Sequence, residues 1–89
     1  MSEGDDTLLE FPCDFPVKAF GNDTGEFEAV VVELVREHAP GVDIETVQSR
    51  SSRAGTYRSV TVNVRAYNRD QLDAIYYALT ADSRVLMAL

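Results

Sequence analysis

From Ser49 to Ser59 the chain reads SRSSRAGTYRS, with three arginines, four serines and a glycine and no acidic residue. The whole 89-residue chain carries 15 Asp and Glu against 8 Lys and Arg, a net charge of −7. Guanidinium forks and hydroxyl donors suit a carboxylate or phosphate, which arginine can grip with two parallel N–H bonds. Ser51, Ser52, Arg53, Gly55, Tyr57 and Arg58 are therefore the candidate ligand- or partner-binding residues. The competing reading is a solvated hairpin turn whose arginines face acidic neighbours. A surface ion pair of that kind contributes only about 0–1 kcal/mol.

No other constellation points to catalysis. One cysteine, Cys13, and one histidine, His38, stand 25 positions apart and make no zinc pattern, so no metal and no cofactor is expected. A serine nucleophile would need a base, and His38 falls at the end of a helical stretch, where it suits the helix dipole or the edge of the core. The segment Gly21–Gly25, GNDTG, lacks both the lysine and the spacing of a phosphate-cradling loop. The expectation is a protein without enzymatic activity.

Length and composition fit one small domain. Residues 1–7 are polar, acidic and without periodicity and read as a disordered tail, leaving residues 8–89 for a single domain. No apolar run approaches the roughly 20 residues a membrane-spanning helix needs, and the acidic N-terminus is unlike a signal peptide, so a cytoplasmic protein with no membrane contact is expected. The acid excess argues against nucleic acid, whose phosphates dominate nonspecific affinity.

The elements that must position the arginines follow from periodicity. Two prolines, Pro12 and Pro16, push the first strand to about Val17–Gly21. Phe27, Val30, Val31, Leu34, Val35 and His38 then form a helical stripe, with Asp23 and Glu26 as its N-terminal capping pair and Pro40–Gly41 as its stop. A strand over 42–50 places Val42, Ile44 and Thr46 on one side. In the next, Val60, Val62, Val64 and Ala66 alternate against Tyr57, Ser59, Thr61, Asn63 and Arg65, and the two strands form a hairpin. Asn68 and Gln71 open a second helix with Leu72, Ile75, Tyr76 and Leu79 inward, and RVLMAL makes a last strand.

This order is the ferredoxin-like βαββαβ arrangement of the α+β class, a four-stranded antiparallel sheet with two helices on one face. It gathers Arg50, Arg53, Arg58 and Arg84 at one end of the sheet with Asp23, Glu26 and Asp82. It leaves the other sheet face open, where Tyr57 suits single-stranded RNA as an alternative function. The apolar edge strand VLMAL could pair with a second copy as a homodimer. An acylphosphatase of this topology would hold phosphate with an arginine in the first loop, and GNDTG has none.

Five motifs in order, LLEFPCDFPVKAFG, HAPG, RSSRAGTYRSVTVNV, LDAIYYAL and VLMAL, resemble the YbeD-like family of small bacterial proteins of unknown function. The resemblance spans Leu8 to Leu89 and implies a domain similar in topology to ACT regulatory domains. The function expected is a noncatalytic regulatory or interaction module that binds a small metabolite or a protein partner.

Overall fold

The computed structural model describes residues 9–89. The expected tail, residues 1–7, lies outside them. Six elements follow in order: β1 (Cys13–Asn22), α1 (Phe27–His38), β2 (Asp43–Ser51), β3 (Tyr57–Ala66), α2 (Arg69–Ala81) and β4 (Met87–Ala88). The strands form one antiparallel sheet in the order β2-β3-β1-β4, the expected ferredoxin-like arrangement.

The sheet buries the helix-bearing face of its central strands and part of that face on β2. Val17 and Ala19 of β1 stand opposite Val62 and Val60 of β3, and all four are fully buried, as is Val64. Phe27, Val31, Leu34 and Val35 of α1 and Leu72, Ile75 and Leu79 of α2 cover them. Fully burying such a side chain contributes about 1.5–3 kcal/mol.

Several boundaries differ from the sequence expectation. β1 begins at Cys13 and runs through Pro16, which stands opposite Asn63. The backbone of Lys18 bonds Leu89 in both directions, at 3.1 and 2.8 Å, so Lys18 points its polar groups toward β4. Backbone groups alternate sides along an antiparallel strand, so Pro16 points the same way. Pairing on that side reaches only Lys18, and the missing N–H of Pro16 interrupts no ladder.

In β2 a register shift between Ile44 and Thr46 inserts Glu45 as an extra residue, a β-bulge. Val47 thereby stands opposite Val62 and Ser49 opposite Val60, so Val47 rather than Thr46 joins Ile44 on the covered face. On α1 the inward stripe closes on Ala39, 3% exposed, while His38 is exposed beside Glu37 at 3.7 Å. The capping pair expected there does not form. Glu26 occupies the cap position without a side-chain bond, Thr24 Oγ1 accepts from the Glu26 N–H at 3.3 Å, and Asp23 bonds elsewhere.

The cap of α2 forms as expected: Asn68 Oδ1 accepts from the Gln71 N–H at 3.0 Å, and Gln71 reaches back to the N–H of Tyr67. β4 is shorter than RVLMAL, although Leu86 and Leu89 on either side of it also bond the β1 backbone, and Asp82 closes the turn that precedes it. Its carboxylate accepts from the Arg84 N–H at 2.9 Å and from the Arg84 guanidinium at 2.9 and 2.7 Å.

Candidate functional site

The arginine-rich hairpin is dispersed by the pleat. Arg58 shares the parity of Val60 and so lies on the helix-bearing side, beyond the ends of the apolar rows, with Ser49 and Ser51 on the adjacent strand. There its Nε donates to Asp23 Oδ1 at 2.9 Å, Nη1 to Ser49 Oγ at 2.8 Å and Nη2 to Ser51 Oγ at 2.9 Å. Ser51 Oγ donates to Asp23 Oδ2 at 2.7 Å. The Arg58 guanidinium and the Ser51 hydroxyl hold the Asp23 carboxyl below its ordinary range. This is a closed network tying the hairpin to the loop between β1 and α1, and the Asp23 N–H also donates to the Thr56 carbonyl at 2.9 Å.

Ser52 closes the turn. Its N–H donates to the Tyr57 carbonyl at 2.8 Å, its Oγ accepts from the Tyr57 N–H at 3.1 Å, and its carbonyl accepts from the Gly55 N–H at 2.9 Å. Gly55 has φ +74°, a left-handed conformation that glycine adopts without strain. Arg53 sits exposed at the tip. Tyr57, half-exposed, stands on the open face opposite Asn22. Of the six candidate residues, Ser51 and Arg58 are brought together, Ser52 and Gly55 shape the turn, and Arg53 and Tyr57 stand apart from one another. Arg84 forms its own pair with Asp82, whose carboxyl is lowered to about 2 by the guanidinium and by the Arg84 N–H. Glu26 makes no ion pair among the described residues.

The open face holds a second arrangement that the sequence reading did not single out. Along it, Arg50, Ser59, Phe20 and Met87 stand side by side across the four strands. The adjacent row is Gln48, Thr61 and Lys18, with Leu89 beside Lys18 through their paired backbones. Over the β2, β3 and β1 part of these two rows lies a depression of about 520 Å³ lined by Lys18, Phe20, Gln48, Ser49, Arg50, Ser59 and Thr61, with Met87 just beyond Phe20. A smaller one of about 180 Å³ adjoins it toward Tyr57 and shares Phe20, Arg50 and Ser59. Neither contains a carboxylate. Lys18 and Arg50 make no ion pair among the described residues, whereas Arg58, Arg65, Arg69 and Arg84 each do.

The signal for Lys18 and Phe20 was present in the alternation of β1: with Val17, Ala19 and Gly21 inward, residues 18 and 20 must face out. What was missing was the register that sets them beside Ser59 and Arg50.

The far end of the same face has the opposite character. Arg65 donates to Asp14 at 3.1 Å, Asn63 donates to Thr46 at 2.8 Å, and the Tyr67 hydroxyl donates to Asp43. Desolvation and the neighbouring Asp14 raise the Glu45 carboxyl. Among the described residues no three His, Cys, Asp or Glu side chains converge as a metal site, and no helix is long and apolar enough to cross a membrane.

Comparison with known proteins places the chain in a family. Residues 6–89 match the family described as "Protein of unknown function (DUF493)". A "UPF0250 protein" of Paraburkholderia phymatum is 44% identical over 89 residues, covering all of both chains. One from Neisseria gonorrhoeae is 44% identical over 87 residues, covering 98% of this chain and 96% of its own. Among solved structures, protein HP0495 from H. pylori superposes with TM-score 0.73 at 13% identity, covering 100% of this chain and 93% of that one. The ACT domain from GTP pyrophosphokinase of Chlorobium tepidum gives 0.66 at 14% identity, covering 85% and 84%. These two share the fold. The chain belongs to the DUF493 (UPF0250) family, consistent with the YbeD-like resemblance of its motifs.

Proposed function

We propose that the protein is a noncatalytic, ACT-like binding module of the cytoplasm whose open sheet face receives a small metabolite or a protein partner. The observation that carries this reading is the depression on that face. In a chain of net charge −7 it gathers Lys18 and Arg50 without an acidic residue and without an ion-pair partner among the described residues. The noncatalytic reading draws on His38, which lies one helix length, about 18 Å at 1.5 Å per residue, from the end of α1 that faces the hairpin serines. The ACT domain that shares the fold supports a regulatory role by analogy of architecture.

The test is native mass spectrometry and saturation-transfer NMR of the protein in a metabolite extract, repeated with the variant Lys18→Glu/Arg50→Glu. Ligands retained by the parent and lost by the folded variant support the reading, and equal retention overturns it. Arg53→Ala and Arg58→Ala probe the hairpin as the alternative locus.

A single-stranded RNA reading is favoured by one further observation, that Phe20 adds a second aromatic to the face that carries Tyr57. Salt-sensitive binding of an oligonucleotide, lost in Phe20→Ala, would establish it, and no binding at low salt removes it. Self-association through β4 belongs to the same proposal, because Leu86, Met87 and Leu89 are all more than half exposed along the sheet edge. Sedimentation that shows only monomer at high micromolar concentration removes that part.

A further inference from the structure

The two rows on the open face form a gradient from polar to apolar. At the β2 side lie Arg50 and Gln48, in the middle the hydroxyls of Ser59 and Thr61, and at the β1–β4 side Phe20 and Met87, with Lys18 beside Phe20. Neighbouring strands lie about 4.8 Å apart, so the row from Arg50 to Met87 spans about 14 Å, and Lys18 and Arg50 are about 12 Å apart at their Cα atoms. Both carry long, mobile side chains that can converge over the two hydroxyls. None of these polar side chains makes an ion pair or side-chain hydrogen bond with another described residue, in contrast to Arg58, which is engaged by three partners.

We infer that this surface binds a small organic anion with an apolar arm: its carboxylate, sulfonate or phosphate lies between Lys18 and Arg50 above Ser59 and Thr61, and its arm lies over Phe20 toward Met87. This deepens the proposed function and rests on it. The volume of about 520 Å³ falls inside the roughly 300–1,000 Å³ range of small-ligand clefts. Charge-assisted bonds to the anion supply orientation, and the aromatic and thioether surfaces supply apolar contact. A long polyanion is disfavoured because the same face carries Asp14, Asp43 and Glu45 further along β1 and β2. An inorganic anion would leave Phe20 and Met87 without a contact.

The experiment uses 8-anilinonaphthalene-1-sulfonate as the probe, N-phenyl-1-naphthylamine as its uncharged counterpart and inorganic phosphate as the bare anion. Amide chemical shifts of the 15N-labelled full chain report the location. The expected result is that the sulfonate shifts the amides of Lys18, Phe20, Arg50, Ser59 and Thr61, and that the other two probes bind at least about tenfold more weakly, the loss expected when one strong contact is removed. Lys18→Glu/Arg50→Glu, or the milder Lys18→Gln/Arg50→Gln if the first is unfolded, should weaken the sulfonate by a similar factor. Shifts confined to the helices, equal affinity for the uncharged probe, or indifference to both double variants overturns the inference. If the metabolite-extract ligands are lost in the same variants while the sulfonate does not map to this face, the ligand class fails and the binding face stands.

Discussion

The two faces of β3 alternate residue by residue and are governed by different physics. Val60, Val62 and Val64 are fully buried against the helices, while Ser59, Thr61 and Asn63 between them remain partly open to solvent. The open face is itself divided. Arg65 is paired with Asp14 at 3.1 Å in an acidic neighbourhood, whereas Lys18 and Arg50 line a depression that contains no carboxylate. If the open face binds as proposed, stepping one residue along this single strand should alter fold or binding separately.

The largest effect that separates the faces is expected from Val62→Asp. An unpaired carboxylate in this core has no hydrogen-bond partner and should leave the domain unfolded at 25 °C, since such changes cost more than about 4 kcal/mol. Thr61→Asp, next to it in sequence, should keep a cooperative thermal transition in circular dichroism while weakening anion binding by adding a negative charge between Lys18 and Arg50. A folded Val62→Asp would show that the helix-bearing face is not where stability resides.

Gly21→Ala should have the next largest effect. A Cβ built there would lie 2.3 Å from Phe27 Cε1 and 2.7 Å from the Arg84 carbonyl, on the covered side where loop and helix meet. Overpacking of this kind typically costs about 1–3 kcal/mol, read as a lower urea midpoint at unchanged slope. By the same geometry nothing stands within 4 Å of a Cβ at Gly55, where the obstacle is the positive φ alone, so Gly55→Asn, which tolerates that conformation, should be the milder change.

The fold was legible because its signals agreed: the Val60–Val64 alternation, the helical stripe from Phe27 to Val35 and the Asn68 cap all gave the same order of elements. The hairpin was less legible as a site. Its arginines lie within nine positions of one another, but the pleat sends Arg58 to one face and Arg50 to the other, and a period of two cannot be read from composition. The Glu45 bulge was invisible for a related reason: one inserted residue inverts the facing of everything after it, and only pairing with β3 reveals the shift. Asp23 looked like a helix cap because of its position. Arg58, 35 residues away, bonds it instead, a long-range competition that local spacing does not report.

A moderate effect is expected from Asp23→Ala. It removes the acceptor shared by Arg58 and Ser51, and so should lower the melting midpoint by a few degrees and speed amide exchange across 51–58. Arg53→Ala, at the exposed tip, should change neither. Equal protection of the hairpin in both variants would show that the network does not hold the turn.

The smallest effect is in pH, and it contrasts the two ends again. Asp82 falls from 3.8 to about 2 in the folded protein because Arg84 bonds its charged form, so its contribution to stability is complete above its unfolded value and is lost as pH drops from about 4 through about 2. Asp23, also lowered, acts with the same sign. Glu45, at the acidic end, is raised above 4.5 by desolvation and by Asp14, so protonating it favours the folded state, and stability should rise slightly as pH falls toward that region. Urea midpoints plotted against pH should therefore rise shallowly on acidification before the fall. Asp82→Asn should flatten the acid limb, and Glu45→Gln should remove the preceding rise. An acid limb unchanged by Asp82→Asn would mean that the Asp82–Arg84 pair persists in the unfolded chain, where two residues separated by one position can still meet.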